Sequence, residues 1–153
     1  MKRYILFFGA FLLSSLGFSQ ANTNLSLKKE LIPQEIDYDG KPELEYKINN
    51  KIIVLDSYNE TDNEGMYIRM KIKNKEVILK MEKKNSSKSK RVYSNNDYTI
   101  TFYDIIYGTC AGEGAQNVTG KILIQSKTEK NTIIFKGSDA IYSSKKCQEI
   151  GNG

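Results

Sequence analysis

Acidic side chains around a glycine-rich stretch are the residues of this sequence best suited to acid–base chemistry. Residues 108–117 read GTCAGEGAQN, with Glu113 between two glycines. Many glycosidases use two carboxylates that flank the scissile bond. Asp104 and Glu149 are the acids that could complete such a pair, because a bridge between the two cysteines would bring Glu149 near this stretch. No local spacing fixes the pair, so a carboxylate-dependent hydrolase is an alternative hypothesis and no catalytic residue is assigned.

The same glycine-rich stretch could also bring its backbone close to a ligand, as phosphate-binding loops do. It lacks the Lys-Ser/Thr pair of a Walker loop, and it lies between two apolar runs that are typical of strands rather than before a helix. The pattern therefore favours a turn or bulge whose glycines supply positive φ angles.

The sequence contains no histidine. Ser-His-Asp and Cys-His nucleophile systems and His-ligated zinc are thereby excluded. Residues 37–40 and 59–65 are rich in oxygen ligands, so calcium binding is an alternative there, but neither stretch has the spacing of an EF-hand loop and turn chemistry is favoured for both. We predict no metal, no cofactor and no enzymatic activity.

Two sets of side chains remain as possible binding residues, together with Glu113. The first is a basic run without apolar residues, which could contact an acidic partner or form a solvated loop: Lys83, Lys84, Lys88, Lys90 and Arg91. The second consists of tyrosines near the centre of the chain, suited equally to a contact surface and to the rim of a core: Tyr93, Tyr98, Tyr103 and Tyr107. Aromatic residues do not alternate with the lysines, so a nucleic-acid partner is not predicted.

The beginning of the chain predicts export. Lys2 and Arg3 precede a short apolar run, and small residues precede a cut between Ser19 and Gln20, which is typical of a secretory signal peptide over residues 1–19. Residues 20–153 would then form one periplasmic or secreted domain with no transmembrane segment. The two cysteines of an exported chain, Cys110 and Cys147, are expected to form a disulfide bond.

The elements that must position these residues are strands. Apolar residues alternate with polar ones in several short runs, as at Met66, Ile68, Met70 and Ile72, and turn residues separate the runs. No run has sustained helical spacing. The sequence predicts an all-β antiparallel barrel or sandwich of about eight strands, with a bulge at Asp104 as an option. Residues 137–139 are expected to be a turn, followed by a short strand at 140–142.

A small exported β domain with one disulfide suggests a binding protein that acts through a loop or a strand face on an extracytoplasmic protein or glycan. This general design resembles that of periplasmic inhibitors of cell-wall hydrolases and, equally, that of small barrels that carry ligands. A carrier of an apolar ligand is therefore an alternative, and a roomy interior would distinguish it from a solid module.

Overall fold

The protein is a closed antiparallel β-barrel. The computed structural model describes residues 31–40, 42–56 and 66–151. The predicted signal peptide and the 59–65 stretch lie outside these residues. The strands are β1 Pro33–Gln34, β2 Leu44–Ile48, β3 Lys51–Asp56, β4 Tyr67–Ile72, β5 Lys75–Met81, β6 Arg91–Ser94, β7 Thr99–Gly112, β8 Ala115–Gln125 and β9 Lys130–Asp139. A 3₁₀ turn, Lys83–Asn85, follows β5, and a helix, α1 Lys145–Gly151, ends the described chain.

Each barrel strand pairs with its neighbours in sequence, and β9 returns to pair with β2. Eight strands thus close an up-and-down barrel, while β1 pairs with the end of β4 as an extra strand. The predicted all-β fold of about eight strands is confirmed. Of the two predicted forms, the structure is the barrel and not the sandwich. Because successive strands are antiparallel, alternate connections lie at the same end. One end carries the β7–β8 turn, the β5–β6 connection and α1, and we call it the disulfide end.

Asparagine and glycine make the tightest turns. Asn49 and Asn50 join β2 to β3 with φ angles of 50° and 65°, as the sequence predicted for this pair. Glu113 and Gly114, both with positive φ, form the turn between β7 and β8. Residues 108–112 and 115–117 are therefore strand and not loop, which corrects the expectation of a long small-residue turn.

Large side chains fill the described interior of the barrel. The rings of Tyr46, Phe102 and Phe135 pack together, with centroids 4.4–5.7 Å apart. Tyr93 packs edge-on against Phe102 at 5.8 Å. Aliphatic side chains from the other barrel strands surround this aromatic group, whereas β6 contributes Tyr93, and alternation places the aliphatic residues inside as the sequence pattern predicted.

The strand β9 is longer than predicted because Gly137 allows a close approach to β2. Gly137 pairs with Tyr46 in the ladder, and a Cβ atom at this position would lie 1.9 Å from the carbonyl oxygen of Glu45. The absence of a side chain lets β9 continue through Gly137 to Asp139 and close the barrel. The predicted turn at 137–139 and strand at 140–142 were therefore wrong.

A bulge at Asp104 changes the side chains that face the core. Asp104 has a φ of 53°, and the β7–β8 register shifts between Tyr103 and Ile106. The extra residue keeps Phe102 and Ile105 buried while it turns Ile106 outward and Tyr107 inward. The bulge therefore decides which β7 side chains reach solvent.

The disulfide Cys110–Cys147 is confirmed, with a Cα–Cα distance of 5.3 Å. It joins β7 to α1, a short helix that the sequence pattern did not predict. Ser143 Oγ donates to the carbonyl of Gly114 at 2.6 Å, and Ser144 N donates to the side chain of Gln116 at 3.0 Å. These contacts hold the segment before α1 against the β7–β8 hairpin. No helix in the described ranges is long and apolar enough to cross a membrane.

Candidate functional site

The outer surface of three adjacent, hydrogen-bonded strands carries exposed apolar side chains. We call this surface the β7–β9 face. Its outward side chains include Tyr103 and Ile106 on β7, Thr119, Lys121 and Leu123 on β8, and Ile134 and Lys136 on β9. Ile106 is 67% exposed and Ile134 is 73% exposed, which are the two largest values among the exposed large hydrophobic residues of the described chain.

The ladder register fixes how these side chains neighbour one another. Tyr103, Lys121 and Ile134 form one row across the three strands, and Ile106, Thr119 and Lys136 form the next. Strand spacing puts Tyr103 and Ile134 about 10 Å apart, on either side of Lys121. Single exposed isoleucines are ordinary, but here two of them and a tyrosine lie on one sheet face, with Thr119 and Lys121 between Ile134 and the other two.

Lys121 is held in position at the centre of this face. Its Nζ lies 2.9 Å from Asp104 Oδ2 and 5.7 Å from the centre of the Tyr103 ring. The hydrogen bond to Asp104 raises the pKa of Lys121, which therefore stays charged. The bulge thus turns Ile106 outward, and its own residue, Asp104, orients Lys121.

A buried charged cluster lies inside the disulfide end. Arg91 and Asp139 are 1% and 0% exposed, and Arg91 Nη1 lies 2.8 Å from Asp139 Oδ2. Tyr46 donates to the same oxygen at 3.0 Å and Tyr107 at 3.4 Å, while Tyr142 N donates to Oδ1 at 2.9 Å. Arg91 Nη2 donates to Tyr107 at 3.1 Å. The cluster ties β2, β6, β7 and β9 together at one point.

Arg91 is incompletely hydrogen-bonded despite its burial. Its Nε has no hydrogen-bond acceptor among the described residues, and Nη1 contacts Asp139 without the geometry of a directed hydrogen bond. The ring of Tyr142 lies 4.3 Å from the guanidinium carbon and shields it. The attraction between Arg91 and Asp139 therefore offsets much of the free-energy cost of burying the charged guanidinium in the barrel.

Burial raises the pKa values of the tyrosines in this cluster: Tyr46, Tyr93, Tyr107 and Tyr142. The charge on Arg91 acts in the opposite direction but does not outweigh burial. Burial alone would lower the pKa of Arg91, and the neighbouring Tyr46 and Asp139 raise it overall. The arginine stays charged and the tyrosines stay neutral at physiological pH.

These shifts predict alkaline unfolding. A tyrosine whose pKa is raised in the folded state stabilises the fold fully below its unfolded value of about 10, and that stabilisation is lost as the pH rises further. We expect the cluster tyrosines to ionise only together with loss of the barrel. Tyrosinate absorbance and far-ultraviolet circular dichroism, followed during one titration, should show the same late transition. Ionisation of the four cluster tyrosines at about pH 10 with an unchanged barrel would contradict this.

The predicted basic residues separate into two groups. Arg91 belongs to the buried cluster, whereas Lys83, Lys84, Lys88 and Lys90 are exposed on the β5–β6 connection. This connection is built by hydrogen bonds. Ser86 Oγ donates to Glu82 O and accepts from Val92 N, both at 2.9 Å. Lys88 Nζ lies 4.7 Å from the centre of the Tyr107 ring, at the mouth of the disulfide end.

The predicted tyrosines are also separated. Tyr93 is fully buried and Tyr107 is half-buried in the cluster. Tyr98 packs against the core near the opposite end, so only Tyr103 lies on the β7–β9 face. Sequence reasoning missed Tyr46, Tyr142 and Asp139 as members of one cluster.

The three acids considered for hydrolysis are all exposed. Asp104 is paired with Lys121 on the outer face. Glu113 occupies the β7–β8 turn, which lies beside α1 because Gly114 is close to Gln148 Cα, and Glu149 belongs to that helix. Within residues 31–40, 42–56 and 66–151, no three acidic or cysteine side chains are arranged to hold a metal ion.

No protein-family model matches this chain, and neither a curated protein nor a solved structure matches it.

Proposed function

We propose that this chain is a non-catalytic binding protein that recognises a protein partner through the β7–β9 face. The observation that carries the proposal is the pair of highly exposed isoleucines, Ile106 and Ile134, on one rigid sheet surface. Interface centres are apolar and contain aromatic anchors, whereas charged residues lie at the rim. Tyr103 supplies such an anchor, and Lys136 lies at the edge of the area. The central Lys121 is charged, but its charge is paired with Asp104.

The filled core favours this function over that of a small-molecule carrier. A carrier barrel needs interior space, because ligand pockets enclose most of a ligand's surface. Here Tyr46, Phe102 and Phe135 cross the interior, and the charged cluster occupies the disulfide end. The apolar ligand carrier therefore stands as the second hypothesis.

The position of the acids favours binding over hydrolysis. A general acid needs a raised pKa and access to substrate. Asp139 is inaccessible, with all of its surface covered, and the exposed Asp104 is engaged by Lys121. The carboxylate-dependent hydrolase thus has the least support.

Export is part of the proposal. A disulfide bond is typical of proteins outside the reducing cytoplasm, and Cys110–Cys147 is compatible with that location. Together with the signal-peptide pattern of residues 1–19, it supports a periplasmic or secreted partner.

A glycan is the alternative partner. A shallow groove on the outer side of β2, β8 and β9 would be its place, and its lining includes Lys47, Asn117, Thr119 and Lys136. Aromatic rings are absent from this lining, although sugar rings commonly stack on aromatic side chains. A protein partner is therefore preferred.

The test compares matched isoleucine variants. The double variant Ile106→Glu, Ile134→Glu places two charges in the face, and we expect it to lose partners that the unaltered mature domain captures from the extracytoplasmic fraction of its host. Loss should be at least about tenfold, because each substitution puts a charge into an apolar contact.

The control is Ile78→Glu, which alters an isoleucine that is 54% exposed on β5, away from the β7–β9 face. It should bind as the unaltered protein does. Equal capture of partners by the unaltered domain, the double variant and the control would show that the binding surface lies outside the β7–β9 face. Capture of soluble glycans in place of any protein would support the groove instead.

A further inference from the structure

We propose that the partner adds an extended acidic segment to the exposed edge of β7, at residues 106–112. This proposal rests on the proposed function and specifies how the partner docks. The β7 edge, as we call these residues, lies at the disulfide end, next to the β7–β9 face. Strand addition uses backbone hydrogen bonds for affinity and neighbouring side chains for specificity.

Pairing on one side of β7 stops before the strand does. The short strand β6 pairs with β7 as far as Phe102, opposite Arg91. Ile105 N then donates to Ser89 O at 3.3 Å. Beyond this bond, the described part of the chain pairs β7 with β8 alone, up to Gly112 opposite Ala115. Among the described residues, no strand therefore lies beside this row of β7 backbone groups.

The β7 edge is held in a strand conformation before any partner arrives. Gln116 Nε2 donates to Gly108 O at 2.7 Å, and Asn117 Nδ2 donates to Thr109 Oγ1 at 3.1 Å. Cys110 is anchored to α1 by the disulfide. A strand ordered in this way loses little conformational entropy on binding, which favours affinity.

The sequence of the edge lacks the usual protection against pairing. Native edge strands are commonly guarded by charged residues or proline. Residues 106–112 read IYGTCAG and contain neither. Ile106, Thr109 and Ala111 are exposed. An edge with no charge or proline of its own, on a hairpin tied to α1 by the disulfide, is suited to a partner strand.

The neighbouring loop selects the charge of that strand. Lys88 and Lys90 flank Ser89, whose carbonyl oxygen accepts a hydrogen bond from Ile105 N just before the edge begins. Both lysines are exposed, and residues 83–91 contain no acid. An extended segment that carries aspartate or glutamate would therefore meet opposite charge as it leaves the edge.

The experiment measures amide hydrogen exchange of the oxidised mature domain with a synthetic peptide that alternates threonine and glutamate. We expect slower exchange at residues 106–112, and no slowing with the counterpart that alternates threonine and lysine. The variant Lys88→Glu, Lys90→Glu should weaken acidic-peptide binding about tenfold, since two attractive surface charges become repulsive. The control Lys127→Glu, Lys130→Glu alters lysines at the other end of the barrel and should bind normally.

Unchanged exchange at the β7 edge, at the highest soluble concentration of the acidic peptide, would overturn the proposal. Equal binding of the lysine peptide would also overturn it. The proposed function is judged separately by the isoleucine variants: partner capture that depends on Ile106 and Ile134 but is unaffected by Lys88→Glu, Lys90→Glu would leave that function standing and reject strand addition of an acidic segment.

Discussion

The substitution Asp139→Asn should lower the free energy of unfolding by about 3–5 kcal/mol, because it leaves the buried charge of Arg91 without its counter-ion. Asparagine has nearly the same volume as aspartate and can still accept the hydrogen bond from Tyr142 N. The effect would therefore come from the lost charge and from the hydrogen bonds that Oδ2 accepts from Tyr46 and Tyr107, not from packing. Urea unfolding followed by far-ultraviolet circular dichroism measures the change.

A double substitution separates the ion pair from its surroundings. Arg91→Met removes the cation, and the combination with Asp139→Asn removes both charges. Breaking a buried pair costs more than replacing the whole pair with uncharged groups. We therefore expect the double variant to be more stable than the sum of the two single effects predicts, by about 1–3 kcal/mol.

An exposed ion pair provides the matched control. Asp104 and Lys121 have side chains that are 59% and 46% exposed, and the substitution Asp104→Asn should cost less than about 1 kcal/mol. If Asp139→Asn cost no more than Asp104→Asn, Arg91 would not depend on Asp139 for its place in the barrel.

The fold was largely readable from the sequence because side-chain alternation has a period of two. In β4, Ile68, Met70 and Ile72 are buried as that alternation requires. The presence of two cysteines predicted the disulfide bond, and the Asn49–Asn50 pair predicted the turn between β2 and β3. Alternation does not show which strands pair with each other. The pairing of β9 with β2 depends on Gly137, whose neighbours, Glu45 and Tyr46, lie far away in the sequence.

The site was harder to predict from the sequence, because a single inserted residue in a strand reverses the side of the sheet on which the following side chains lie. Without the bulge at Asp104, Tyr107 would point outward with Tyr103; with it, Tyr107 joins Arg91 and Asp139 inside. Asp139 itself was assigned to a turn. Asp139 is buried because β9 extends as far as this residue and because Arg91 pairs with it. Arg91 lies 48 positions earlier in the sequence, and no local sequence pattern links the two residues.

Removal of the disulfide should give the second large effect. The variant Cys110→Ala, Cys147→Ala frees a loop of 37 residues, and loop-closure entropy corresponds to about 3–4 kcal/mol of lost stability. The helix α1 has seven residues, too few for a stable helix without tertiary contacts. We therefore expect α1 to exchange its amide hydrogens faster in this variant, before the barrel opens. Urea unfolding and hydrogen exchange measure the two effects.

The position of the cross-link makes these two effects separable. Tyr142, which shields Arg91, precedes α1, and its backbone N–H is held by Asp139 independently of the cysteines. The buried cluster should therefore keep its raised tyrosine pKa values when the disulfide is absent. Ser144→Ala, which deletes only the hydroxyl that lies 3.3 Å from Cys147 Sγ, should leave both stability and exchange of α1 nearly unchanged. Loss of the cluster together with α1 would show instead that the disulfide, and not the Arg91–Asp139 pair, holds the disulfide end of the barrel closed.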